Sequence, residues 1–95
     1  MTDSREIIIR PVVSEKSYEM IAENRYTFEV DKRASKPQIA SAIEDIFGVS
    51  VVKVNTMNVT GKPRRLRWQR GHTRSWKKAI VTLREGDSIE LFGNV

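Results

Sequence analysis

Short runs of β-branched and aromatic residues recur along this chain and predict its strands. Residues 26–30 alternate between apolar and polar side chains, which is typical of a strand with one buried face. Two further runs rich in Val or other apolar residues predict strands at residues 49–59 and 79–83, and the run at 7–9 predicts a brief strand or an extended arm. The apolar positions change phase near Asn55 and Thr56, which predicts a bulge or a bend there. A weak final strand is predicted from Ile89 to Phe92.

Two segments place apolar residues at helical spacing and begin with a residue that caps a helix. Ser14 is a typical N-cap for a short helix over residues 15–23, whose apolar positions are Tyr18, Ile21 and Ala22. The second helix follows Ser35, with Pro37 in its first turn and Gly48 at its end. Its apolar stripe consists of Ile39, Ala42, Ile43, Ile46 and Phe47.

Residues 60–75 lie between the last two long strands and have no regular apolar period. Connections of this length are uncommon in compact domains and are usually functional or disordered. If the first half of this segment runs outward and the second half runs back, the segment forms an arm of about 20 Å. The radius of gyration expected for a chain of this size is only about 13 Å, so the arm would project from the domain. The pattern predicts one α+β domain over residues 1–95: a mainly antiparallel four-stranded sheet, two packed helices and a long basic hairpin arm.

The charge of the chain is concentrated in and beside this arm. The chain has 17 basic and 12 acidic residues, a net charge of +5. Residues 62–78 contain eight of the basic residues and no acidic residue, so the rest of the chain has nine basic and twelve acidic residues, a net charge of −3. A strongly basic segment on a mildly acidic body predicts a polyanionic partner that is bound at one place.

The composition of the basic segment favours RNA as that partner. Both tryptophans, Trp68 and Trp76, lie in it, and unpaired bases stack on aromatic and guanidinium planes. Trp68 is the better stacking candidate, whereas Trp76 opens a strand and is expected to be partly in the core. No predicted helix carries the cations, so a recognition helix for DNA is missing. The alternative is a solvated polar loop with Trp76 packed on the sheet. The candidate RNA-binding residues are Arg10, Lys36, Lys53, Lys62, Arg64, Arg65, Arg67, Trp68, Arg70, His72, Arg74, Trp76, Lys77 and Lys78.

The sequence offers little that is typical of a catalytic or metal site. His72 is the only histidine and has no acidic residue near it in sequence, so it is expected to contact RNA or solvent. Glu44 and Asp45 are adjacent on a helix and point in different directions. The chain has no Cys, which excludes thiolate ligands and disulfides and suits a reducing compartment. With no long apolar run and no signal-peptide pattern, a small soluble intracellular protein without cofactor is expected.

Three segments then occur in an order that resembles the large-subunit ribosomal protein family numbered twenty-three: residues 10–16 (RPVVSEK), 54–59 (VNTMNV) and 76–83 (WKKAIVTL). The resemblance runs from about Ile7 to Phe92, and the last segment is its most specific part. It implies an α+β fold and a non-enzymatic structural role in the ribosome of the cytoplasm. It also implies binding of large-subunit (23S) ribosomal RNA near the polypeptide exit tunnel. Residues 60–74 match the hairpin that reaches into the tunnel wall in the bacterial form.

The same resemblance implies protein partners: neighbouring large-subunit ribosomal proteins, and at the tunnel exit trigger factor, signal recognition particle and the translocon, without membrane insertion. Glu15 stands at the position of the family's main chaperone contact; from the residues alone it is also a favourable charge at a helix N-terminus, and both roles can coexist. The Arg-rich loop with Trp68, and Arg84 after the last motif, depart from the family pattern. A free regulatory nucleic-acid-binding protein and a small nuclease are the alternatives; the lack of paired acids and metal ligands disfavours the nuclease.

Overall fold

The sheet consists of four antiparallel strands, and they are β1 (Ile8–Pro11), β2 (Arg25–Val30), β3 (Val51–Val59) and β4 (Trp76–Leu83). Their order across the sheet is β1-β2-β4-β3, so β2 and β4 are the central strands. The structure is a computed structural model that describes residues 4–59 and 75–90, and the predicted arm at 60–74 lies outside the described residues. The antiparallel four-stranded sheet predicted from the sequence is confirmed.

Both predicted helices are present, and a short additional turn precedes the first strand. This turn is α1 (Ser4–Ile7), and the two longer helices are α2 (Glu15–Met20), continued by a 3-10 turn at Ile21–Glu23, and α3 (Lys36–Phe47). Ser14 caps α2 and Ser35 caps α3, each through a reciprocal pair of hydrogen bonds with the third residue of the helix. Gly48 ends α3 in the left-handed conformation with φ +67°.

The hydrophobic core lies between α3 and one face of the sheet. Paired residues of antiparallel strands point to the same face, so Phe28 of β2 and its β4 partner Ala79 lie side by side on the core face. Ile39 and Ile43 of α3 are fully buried in the same cluster, and the rings of Phe28 and Phe47 lie 5.8 Å apart. This packing confirms Ile39, Ala42, Ile43 and Phe47 as the face of α3 that covers the sheet, whereas Ile46, the fifth residue of the predicted stripe, is 40% exposed.

The prediction that β2 has only one buried face is wrong. Thr27 and Glu29, which point away from Phe28, are 3% and 2% exposed. Because β2 is a central strand, side chains of β1 and β4 flank it on both sides, and this lateral packing removes water from polar residues that the alternating pattern assigned to solvent. The hydroxyl of Thr27 is buried without a hydrogen-bond partner among the described residues.

Three smaller predictions also need correction. The register of β3 is continuous from Lys53 to Val59, so no bulge lies near residues 55–56. The irregularity lies at Val52, which is 66% exposed. The phase change in the sequence reflects apolar residues on both faces of a regular strand. Tyr18 is 60% exposed, and the buried residue of α2 is Ser17. Ile89 is buried but is not in a strand; Leu91 and Phe92 lie outside the described residues.

Candidate nucleic-acid interface

Each of the four strands contributes one basic residue to the face of the sheet opposite Phe28. The strand register places Arg10 beside Glu29, Glu29 beside Lys78, and both Arg25 and Lys53 beside Thr82. Since paired residues share a face, these basic side chains lie on one side of the sheet. We call this surface the cationic face, and it consists of Arg10, Arg25, Lys53 and Lys78. Its first three members are exposed and Lys78 is half-buried.

Three members of the cationic face are among the RNA-binding candidates that the sequence predicts, and the fourth is not. Arg10, Lys53 and Lys78 were candidates because they lie in or near the basic segment or the motifs. Arg25 was not a candidate because it stands at a turn in the sequence, and only the pairing of β2 with β4 and of β4 with β3 brings it onto the same face as Lys53. Arg25 makes an exposed ion pair with Glu23, with a distance of 3.5 Å from Nη2 to Oε1. Such exposed pairs stabilise little, so the guanidinium can exchange this partner for a phosphate.

Glu29 fixes the position of Arg10 on the cationic face. The Arg10 Nε–H donates to Glu29 Oε1 at 2.8 Å, and the Glu29 side chain is 3% exposed whereas that of Arg10 is 60% exposed. A hydrogen bond between ionised groups of this length is among the stronger side-chain interactions. The buried carboxylate therefore orients the guanidinium while most of its surface faces solvent.

The two basic residues that follow Trp76 have different surroundings. Lys78 points to the cationic face, whereas Lys77 points to the opposite face, where its Nζ–H donates to the carbonyl oxygen of Ala34 at 2.7 Å. This bond ties the loop between β2 and α3 to the start of β4. Trp76 pairs with Val59 at the end of β3 and is half-buried. It is in phase with Lys78 and so lies on the face opposite the core, which means that the expectation of a partly core position for Trp76 is wrong.

The remaining candidates lie apart from the sheet or outside the described residues. Lys36 is exposed in the first turn of α3. Glu15 is exposed in the first turn of α2, close in sequence to Val13 and Tyr18, which are 55% and 60% exposed. The candidates outside the described residues are Lys62, Arg64, Arg65, Arg67, Trp68, Arg70, His72 and Arg74.

Two other kinds of site are absent from the described residues. Within residues 4–59 and 75–90, no three His, Cys, Asp or Glu side chains are grouped so that they could bind a metal ion. In the same two ranges, no helix is both long enough and apolar enough to cross a bilayer.

Comparisons with known proteins agree on one family. A family model described as ribosomal protein L23 matches residues 6–91. A protein of Roseiflexus sp. (strain RS-1) named large ribosomal subunit protein uL23 is 58% identical over 87 residues, which cover 92% of this chain and 93% of the relative. Proteins of the same name from Kocuria rhizophila and Pelotomaculum thermopropionicum are 56% and 54% identical, and the matches cover 96% and 97% of this chain and 89% and 97% of the relatives.

Proposed function

This chain belongs to the ribosomal protein L23 family, and from that premise we propose that it binds large-subunit (23S) ribosomal RNA near the polypeptide exit tunnel. The family is one of structural proteins of the large ribosomal subunit and is not known for enzymes. The chain is accordingly a structural ribosomal protein with a role in translation, and ribosomes of bacteria work in the cytoplasm. Its neighbours there are ribosomal RNA and other ribosomal proteins.

The observation that carries the proposal is that the cationic face and the basic segment share one pair of strands. Lys53 lies on β3 and Lys78 on β4, and residues 60–75 connect these two strands. The connection itself contains six basic residues and no acidic residue. RNA that follows the connection to its base would meet Lys78 first, two residues after Trp76. Lys53 lies six residues from Val59, so RNA must continue along the sheet to reach it. Phosphate contacts of this kind supply most of the affinity of a protein for a nucleic acid.

The salt dependence of RNA binding tests this proposal. We expect the full-length protein to bind a transcript of large-subunit ribosomal RNA with a log–log slope against salt of about −4 to −7, which corresponds to six to eight phosphate contacts. Lys53→Gln should reduce the magnitude of the slope by about one. Lys16→Gln removes an exposed cation of α2, outside the sheet, and is the matched control that should leave the slope unchanged. Binding that does not respond to salt would contradict the proposal.

A second part of the proposal concerns the surface around Glu15, which we assign to the docking of nascent-chain factors such as trigger factor. Glu15 is exposed, and Val13 and Tyr18, close to it in sequence, expose more than half of their surface. Partly apolar surfaces with a charged residue are typical of protein–protein contacts. Signal recognition particle and the translocon are further partners proposed for the same region of the ribosome.

Charge reversal at Glu15 tests the docking proposal. In ribosomes that carry Glu15→Lys, we expect the affinity for trigger factor to fall by about fivefold or more, the size of effect expected for an important interface residue. Assembly of the large subunit should be unchanged, because loss of a first-turn acid costs an exposed helix only about 0.3–1 kcal/mol. Glu85→Lys, at an exposed turn after β4, is the control. Impaired assembly with normal chaperone binding would mean that Glu15 is purely structural.

A further inference from the structure

An open cleft lies where β4 begins, next to the loop that follows β2. Its volume is about 310 Å³. The described residues that line it are Ile9, Glu29, Val30, Asp31, Lys32, Arg33, Ser75, Trp76 and Lys77. This volume is at the lower end of the range for sites that hold small organic molecules, about 300–1,000 Å³. The cleft therefore suits one flat ring system and not a large ligand.

One wall of the cleft is the short loop after β2, and hydrogen bonds hold this loop in place. The Asp31 N–H donates to the carbonyl oxygen of Ile7 at 2.8 Å, and the Ala34 N–H donates to that of Asp31 at 3.0 Å. The Arg33 N–H donates to Asp31 Oδ1 at 2.8 Å. The Lys77 Nζ–H donates to the carbonyl oxygen of Ala34 and so holds the loop against β4. Because hydrogen bonds anchor the loop at both ends, the cleft is already formed before a ligand binds.

The side chains of the cleft combine three kinds of chemistry. Trp76 supplies a half-buried aromatic ring, and Ile9 and Val30 are the apolar residues that also line the cleft. Lys32 and Arg33 are exposed cations, and the Arg33 side chain is 92% exposed with its Nε 3.7 Å from Asp31 Oδ1, a weak pair that leaves the guanidinium accessible. Asp31 adds a carboxylate whose side chain is 30% exposed. A ring for stacking, cations for phosphate and an acceptor group are the elements with which proteins bind an unpaired nucleotide.

We propose that one unpaired guanine of the bound RNA enters this cleft, stacks on Trp76 and is recognised by Asp31, while Lys32 and Arg33 contact the adjoining phosphates. A carboxylate can only accept hydrogen bonds. Guanine is the base whose Watson–Crick edge presents two adjacent donors, at N1 and N2, so it matches a carboxylate better than adenine, cytosine or uracil. The proposal rests on the proposed RNA binding and adds to it a specific subsite and a base.

Chemical footprinting of guanines tests the cleft directly. Kethoxal reacts with N1 and N2 of unpaired guanines, and the probe is a transcript of large-subunit ribosomal RNA with and without the full-length protein. We expect at least one guanine to be protected by the unmodified protein and by Trp76→Phe, which keeps an aromatic ring. Trp76→Leu should lose this protection, with an affinity about 5- to 100-fold lower, as expected when one stacking ring is removed.

Asp31→Asn is the test of base identity. It keeps the oxygen that accepts from Arg33 but replaces the second acceptor with a donor, which opposes the donors of guanine. The same guanine should become reactive in this variant while stacking retains most of the affinity. Circular dichroism of each variant checks that it is folded.

The outcomes separate the cleft from RNA binding in general. If the protein binds the RNA with the expected salt dependence but no guanine depends on Trp76 and Asp31, the cleft proposal is wrong and the proposed function stands. Protection of a guanine that depends on Trp76 but not on Asp31 would also overturn the proposal as stated, because the carboxylate would then not recognise the base. If the protein does not bind the RNA at all, both proposals fail.

Discussion

The interaction of Arg10 with Glu29 shows that the sequence identifies charged residues but does not reveal their surroundings. Position 29 alternates with apolar residues and so was assigned to solvent, yet its carboxylate is buried between β1 and β4. The sequence does not reveal which strands are neighbours, and Arg10 is 19 positions away from Glu29. Arg10 is therefore both a candidate RNA contact and a partner that helps to compensate a buried charge. The two roles are compatible because its side chain is largely exposed.

This asymmetry of burial leads to a prediction about stability. Arg10→Gln should lower the free energy of unfolding by about 1–3 kcal/mol, because a buried carboxylate loses a charged donor. Glu29→Gln should cost less, since the amide still offers an acceptor and the exposed guanidinium can be hydrated. Arg33→Gln, which alters an exposed Arg–Asp pair, is the control and should stay within about 0.5 kcal/mol of the unmodified protein. Urea denaturation measures all three, and equal costs for Arg10→Gln and Glu29→Gln would contradict the argument.

At the scale of elements, helices were predicted well where their signals are local. The bounds of α3 follow from Ser35, Pro37 and Gly48, and the structure shows the cap and the left-handed glycine in these places. The same holds for the Ser14 cap of α2. The face of α2 was predicted less well, because Ser17 is buried by its hydrogen bonds to Val12 and Ser14 and not by hydrophobicity.

Strands were predicted by position but not by environment. Strand β2 ends where expected and begins one residue earlier, at Arg25, but its position in the centre of the sheet buries both faces. The bulge of β3 lies at Val52, three positions before the predicted one, since a Val at a bulge and a Val in a regular strand have the same hydrophobicity. The same limit applies to the site. The basic residues of the candidate interface were identified by charge, whereas Arg25 and the walls of the cleft became visible only through the register and the loop after β2.

At the scale of the whole molecule, the chain consists of a basic segment and an acidic remainder. The strand pairing shows where the basic segment could be removed. Val59 and Trp76 are directly paired across β3 and β4. A two-residue Asn-Gly turn can join two directly paired residues of antiparallel strands. Residues 60–75 can therefore be replaced by Asn-Gly without a change in the register of the sheet. The replacement removes six basic residues and changes the net charge from +5 to −1.

We predict that this shortened protein folds and loses most of its affinity for RNA. The buried hydrophobic side chains of the described residues lie outside the replaced segment, and the shorter connection lowers the entropic cost of loop closure by up to about 2 kcal/mol. If all six removed cations contact phosphates, the salt slope of RNA binding should decrease in magnitude by about four to five. Thermal unfolding and RNA titration on the same preparation measure both effects. A shortened protein that fails to fold would show that residues 60–75 contribute to the domain itself, and one that binds RNA with an unchanged slope would show that the cationic face, without the basic segment, is sufficient.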